Sequence, residues 1–180
     1  MEFFRKTGPI VWVPLWVFLD QVTKALVRAV LDYRESRVVI PDFLSWTHAQ
    51  NPGAAFGMFG RLPDFWRLVI LIGISALVTV GLIVYYFRLP RHEKVMRWGL
   101  SLLVAGAIGN LIDRTLFGMV TDFIDVYATS GPLYHLLMLL GSNHWPTFNV
   151  ADICVTCGAV LFGWYAFVIE PRQRRAEQTA

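Results

Sequence analysis

Two acidic stretches in the last third of the chain hold the residue types that could do chemistry. The first is Thr121-Asp122-Phe123-Ile124-Asp125; the second, Phe148-Asn149-Val150-Ala151-Asp152, opens a long apolar run. A carboxylate at the head of a membrane span costs roughly 2.5 kcal/mol or more on insertion scales, so an acid kept there points to function. Two carboxylates that approach each other do not both ionise easily: one stays protonated as an acid while the other serves as a base. Such a pair can activate water against an amide. Asp152 is the stronger member, inside an apolar run with no basic neighbour in sequence. Asp122, Asp125 and Asp113 compete to be its partner, and spacing does not choose among them. Asp113, beside Arg114 and one turn from Asn110, favours a structural role.

The elements that must position these acids are written in the composition. The chain has 180 residues, 56% hydrophobic and 16% charged, with mean hydropathy +0.50. A soluble domain of this size carries about 25% charge, so the reading is a small, mainly α integral membrane protein, one domain over residues 1–180 with no internal repeat. Four apolar runs, near 9–31, 66–87, 96–117 and 149–169, predict four transmembrane helices. Lys and Arg mark cytoplasmic ends. Arg5 and Lys6 precede the first run, Arg88, Arg91, Lys94 and Arg97 surround the second connection, and Arg172, Arg174 and Arg175 follow the fourth. Both termini are thereby expected in the cytoplasm.

Between the first two spans, Arg37–Ile40 and Phe43–His48 have β-prone patterns and predict a small outer sheet. Val120–Val126, in the second outer loop Gly118–Thr147, alternates enough for a further strand. Asn51-Pro52-Gly53-Ala54-Ala55-Phe56-Gly57 reads as a turn whose exposed backbone could hold an extended peptide, or as an ordinary connection. Asp20 and Lys24, four residues apart, share a helix face in ion-pair register. Gly99, Ala105, Gly106, Ala107 and Gly109 permit close helix approach in the third span. Asn149 and Asp152 stand one turn apart at the outer end of the fourth. The unusual polar groups, Asp20, Lys24, Asn51, Asn110, Asp113, Arg114, Asp122, Asn149 and Asp152, thus collect toward one side of the membrane, as a water-accessible site would require.

Other chemistries are poorly served. Cys154 and Cys157 lie in an apolar run and read as small residues packed between helices. His48, His92, His135 and His144 are too scattered for a zinc site, and His48, His135 and His144 read as interfacial. No metal, cofactor or nucleic acid is expected. Two non-enzyme classes compete on residues alone. A proton-coupled carrier would place its charges near the midplane on broken helices, often in paired halves. A non-catalytic scaffold would use its polar residues only to hold helices together.

Five stretches in order resemble the motifs of the bacterial lipoprotein signal peptidases, the signal peptidase II family: Asp20-Gln21-Val22-Thr23-Lys24, Asn51-Pro52-Gly53-Ala54-Ala55-Phe56, Gly109-Asn110-Leu111-Ile112-Asp113-Arg114, Val120-Thr121-Asp122-Phe123-Ile124 and Phe148-Asn149-Val150-Ala151-Asp152. The resemblance implies an aspartic endopeptidase of the bacterial inner membrane. Its small periplasmic sheet would form a cradle, and its site would lie at the periplasmic face. It implies cleavage of diacylglyceryl-modified prolipoproteins before the lipidated cysteine, by a catalytic pair at Asp122 and Asp152. Asn51, Gly53, Asn110, Arg114 and Asn149 fall in its substrate-binding and supporting set. Asp20, Lys24 and Asp113 fall among its structural residues. Its implied partners are the lipid-modified substrate, membrane lipid and the cyclic peptide inhibitor globomycin, with a monomer as the expected form. The segment from Ile124 to Phe148 is longer than the resemblance leads one to expect, through the apolar stretch Leu133–Leu140. That stretch is expected either on the bilayer surface or packed over the site.

Overall fold

The computed structural model describes residues 8–53 and 63–172. Arg5, Lys6, Arg174 and Arg175, together with Ala54-Ala55-Phe56 of the second motif, lie outside the described residues. A 3-10 turn, Gly8–Trp12, leads into helix α1 (Val13–Val30). Strands β1 (Ser36–Ile40) and β2 (Leu44–Asn51) follow, then helices α2 (Asp64–Arg88) and α3 (Lys94–Phe117). Strand β3 (Val120–Val126) and the short helix α4 (Gly131–Met138) precede α5 (Val150–Trp164), which continues through a π-helical turn, Tyr165–Ile169. Four helical segments, Gly8–Val30, Asp64–Arg88, Lys94–Phe117 and Val150–Arg172, are long and apolar enough to cross a membrane. They coincide with the four runs expected from sequence. Their ends follow from local chemistry. Asp64 favours the positive end of α2 and pairs with Arg67 at 2.7 Å. Leu89-Pro90 stops the same helix, because proline lacks the N–H that would continue it.

The chain forms two compact units. The first contains residues 8–18, 73–111 and 151–172 among those described. Its core is two apolar clusters, one on Tyr86, Met96, Leu100 and Tyr165, the other on Val13, Val104 and Ala105. Arg97 is buried beside the first, donating to the Tyr86 hydroxyl at 2.9 Å and lying 4.2 Å from that ring's centroid. Helices α3 and α5 meet backbone to backbone. A Cβ on Gly99 would stand 3.1 Å from the Gly158 carbonyl oxygen, and one on Gly106 would overlap the Ala151 carbonyl oxygen. Small residues are therefore what allow this crossing, as the sequence suggests. The cysteine expectation holds for one residue only: Cys154 is buried, whereas Cys157, one turn on, is exposed and packs between no helices.

The second unit contains residues 19–53, 63–72 and 112–150 among those described. Its sheet is antiparallel in the order β1-β2-β3. The three strands sit where the alternating patterns predict, and β2 runs on to include Asn51, which sequence places in the following turn. Phe123 packs with Val27 and Leu31 of the first span, next to Ile124 and Val150. β1 is an edge strand with every residue exposed. His48 is buried, not interfacial: Nδ1 lies 3.0 Å from the Leu31 carbonyl oxygen and the ring meets the edge of Tyr33. The apolar stretch Leu133–Leu140 is mostly helical, within α4. Leu137 turns inward, while Leu136, Leu139 and Leu140 are exposed. Asp42, between β1 and β2, accepts hydrogen bonds from the Thr129 N–H and hydroxyl and from the Ser130 hydroxyl, and so straps the start of α4 to the sheet.

Two outcomes follow from this packing. Gly106→Ala should lower stability by about 1–3 kcal/mol through overpacking. Gly73→Ala, with nothing within 4 Å of the added methyl, should be neutral or gain about 0.5–1 kcal/mol. Thermal melting of both variants in one detergent checks this. The Thr129 and Ser130 bonds hold the Asp42 carboxyl below the usual carboxylate range. A lowered folded-state value stabilises above the unfolded value and is lost as pH falls through the folded one. Amide-exchange protection of Thr129 should therefore persist from neutrality to about pH 3.9, the unperturbed aspartate value, and fall only below it.

Candidate active site

The site is best built from the buried charge that fixes its frame. Lys24, with no exposed side chain, lies 2.9 Å from Asp20 on its own helix and 3.3 Å from Asp113 on α3. Asp20 and Asp113 are equally inaccessible, at 1% and 0% exposure. A cation between two carboxylates satisfies charges that none of the three could carry alone in this environment. Gln21 donates to both acids, at 3.0 and 3.3 Å. Arg28, two turns from Gln21 and stacked 4.3 Å above the Phe117 ring, stands 3.8 Å from Asp113 and donates to the Thr121 hydroxyl at 2.8 Å. Asp113 also accepts the backbone N–H of Thr121 at 2.9 Å. The cluster therefore pins the head of β3 one residue before Asp122.

Asp122 is buried on β3. The Asn149 amide donates to one carboxylate oxygen at 2.7 Å and the Asn51 amide to the other at 3.0 Å. Asn51 is placed by the end of β2, and its own carbonyl oxygen accepts the Gly53 N–H at 2.8 Å. Asn149, fully buried, is placed by a bridge: Phe148 exchanges backbone hydrogen bonds with Ile124 at 2.8 and 3.1 Å. Asn149 also donates to the Thr121 carbonyl at 3.3 Å. Gly53 has φ +80°, where a side chain would be strained, and a Cβ there would lie 2.6 Å from Leu71 and 3.6 Å from the Arg114 guanidinium. Arg114 thus lies beside the turn that follows Asn51.

Asp152 belongs to the first compact unit, in the first turn of α5. The Asn110 amide of α3 donates to it at 2.9 Å. The sequence-predicted residues thus fall into two sets, Asn51, Asp122 and Asn149 in one unit and Asn110 with Asp152 in the other. Asp125, which competes with Asp122 in the sequence, accepts the hydroxyls of Ser45 and Thr47, each at 3.2 Å, and lies 2.8 Å from His144 Nδ1. His144 stacks on Tyr127. Asp113 is committed to Lys24. Neutral amides differ from a cation: they orient the oxygens of Asp122 and Asp152 without bringing a charge to them. Arg28 and Gln21 are supporting residues that sequence reasoning did not single out, although Arg28 lies four residues after Lys24, on the same face.

Removing the cation should expose the cost of its partners. Lys24→Met should lose about 3–5 kcal/mol, because two buried carboxylates are left uncompensated. Asp113→Asn, which leaves the Asp20–Lys24 pair in place, should lose less. Melting of both purified variants beside the wild type measures the order.

A family model described as signal peptidase (SPase) II matches residues 12–168. A lipoprotein signal peptidase of Desulforapulum autotrophicum is 43% identical over 150 residues, covering 83% of this chain and 85% of that one. The lipoprotein signal peptidase of Pseudomonas aeruginosa is 38% identical over 156 residues, covering 85% and 84%. A bacterial membrane enzyme solved by the in meso method at 2.3 Å superposes with a TM-score of 0.72 at 31% identity, covering 90% of this chain and 88% of that one.

Proposed function

The chain belongs to the signal peptidase II family, and from that membership we propose that it removes the signal peptide from diacylglyceryl-modified prolipoproteins, cleaving before the lipidated cysteine, as one domain over residues 1–180 with Asp122 and Asp152 as its catalytic pair. The observation that carries the assignment is the way each acid is held. Asn51 and Asn149 amides orient Asp122, and the Asn110 amide orients Asp152. Asn149 immediately precedes the helix whose first turn carries Asp152.

In this reading one carboxylate takes a proton from water, whose oxygen attacks the scissile carbonyl carbon. The other, protonated, donates to the carbonyl oxygen to give a gem-diol; as the C–N bond breaks, the first acid passes the proton it took from water to the leaving nitrogen, and a gem-diol hydroxyl returns a proton to the second. The products are the signal peptide's carboxylate and the free amine of the lipidated cysteine. No acyl-enzyme forms and no metal takes part. The lipid holds the substrate at one depth, which supplies much of the orientation. Asn51, Gly53, Asn110, Arg114 and Asn149 form the substrate-binding and supporting set. The enzyme is a monomer of the bacterial inner membrane with both termini cytoplasmic and its site at the periplasmic face, open to globomycin. The orientation is supported by Arg88, Arg91, Lys94 and Arg97 around the α2–α3 connection and by the lack of Lys or Arg between Arg114 and Arg172.

The test is a gel shift with a diacylglyceryl-modified prolipoprotein and purified full-length protein. Wild type should cleave and globomycin should block it. Asp122→Asn and Asp152→Asn should each lose at least about 10²-fold in rate with melting temperatures close to wild type. Normal processing by either variant would sink the pair, and no processing by a well-folded wild type would sink the peptidase reading.

A further inference from the structure

A second feature of the second compact unit has no part in the peptidase reading. A groove of about 270 Å3 lies between the end of α1 and the sheet. Val27, Leu31 and Phe123 form its buried floor, and Leu26, Val30 and Trp46 form its exposed rim. The wall offers little to water. A buried water needs two to four polar partners, and the Thr23 hydroxyl already bonds the carbonyls of Leu19 and Asp20. Leu26 and Val30 are 58% and 54% exposed on a helix long and apolar enough to span a membrane. The open side is therefore continuous with the lipid-facing flank of that span, at its last turn. Arg37 is the charged residue at the mouth. Its guanidinium touches Glu35 at 3.0 Å and the Val30 carbonyl at 3.3 Å, which leaves further N–H donors of its five directed elsewhere. Arg37 and Trp46 are cross-strand partners and so share one face of the sheet. Arg and Trp together at the end of a span are the pairing expected at headgroup depth.

We propose that this groove is a binding site for one bilayer glycerophospholipid, with an acyl chain lying over Val27, Leu31 and Phe123 and the phosphate at Arg37. The occupant is a resident lipid and not the substrate, so the assignment stands apart from the catalytic reading. Native mass spectrometry of the full-length protein in detergent, with added palmitoyl-oleoyl phosphatidylglycerol, tests it. Wild type should retain one phospholipid. Thr23→Phe, which fills the groove, should lower its occupancy about tenfold, and Arg37→Gln, which removes a charge-assisted contact from an exposed position, should weaken it by a similar factor. Leu77→Phe, at an exposed position of α2 far along the chain, should retain lipid as wild type does. Equal retention by wild type and Arg37→Gln would overturn the proposal, since the lipid would then be annular only. Displacement of the lipid by a diacylglyceryl-modified prolipopeptide would overturn it too, by giving the groove to the substrate. Because Arg37 is exposed, its variant keeps the test decisive if Thr23→Phe fails to fold.

Discussion

The ammonium of Lys24 between the carboxylates of Asp20 and Asp113 is the interaction on which the second unit depends. Buried charge is expensive, and a well-packed apolar core would often be as stable. What the triad adds is placement. Asp113 uses one carboxylate for three jobs: it neutralises Lys24, it receives Gln21, and it accepts the Thr121 N–H. The last of these ties a transmembrane helix to the first residues of a strand across a connection of only a few residues. Register of β3 against β2 then follows, and with it the pairing of Ala49 with Asp122. A hydrophobic contact could hold the same elements together, but it would not fix the direction in which Asp122 emerges.

The acids of this protein are sorted by the chemistry of what holds them. Asp20 and Asp113 face a cation, at 2.9 and 3.3 Å. Asp125 meets hydroxyls and an imidazole, and so joins β2, β3 and the loop that carries His144. Asp122 and Asp152 meet side-chain amides, which orient their oxygens. An amide brings direction to a carboxylate without bringing a charge to it. Asparagine at positions 51, 110 and 149 is thus a choice of chemistry as much as of shape.

Much of this was legible before any coordinates. The spans follow from apolar runs whose lengths match a bilayer, and Val120–Val126 announced itself by alternation. Asp20 and Lys24 declared their pairing by helical spacing. The third member, Asp113, could not be found that way, since its contact depends on two helices 89 residues apart in sequence between Lys24 and Asp113. The same limit applies to Arg28, whose partners are Phe117 and Thr121. His48 misled because its ring is half apolar, and only the fold shows that the Leu31 carbonyl waits for its Nδ1. Cys157 lies in the same apolar run as Cys154 but off the packed stripe of α5, which is narrow: Ala151, Cys154 and Gly158 line it. The proposed pairing of Asp122 with Asp152 rests on motif order, not on spacing.

The edge strand carries a practical consequence. β1 presents Val38, Val39 and Ile40 at 62%, 48% and 46% exposure, with a row of backbone groups on its outer side. Apolar edges of this kind are templates for another strand. At a lipid surface, neighbouring chains are dilute and the side chains have an apolar medium to meet. Once the protein is extracted into micelles and concentrated, the same strand becomes a route to edge-to-edge association, flanked among the described residues by the charges of Arg34, Glu35 and Arg37 at one end and Asp42 beyond the other. Covering or charging this edge, by a substitution at Val38 for example, is then the lever on how much of the protein stays dispersed.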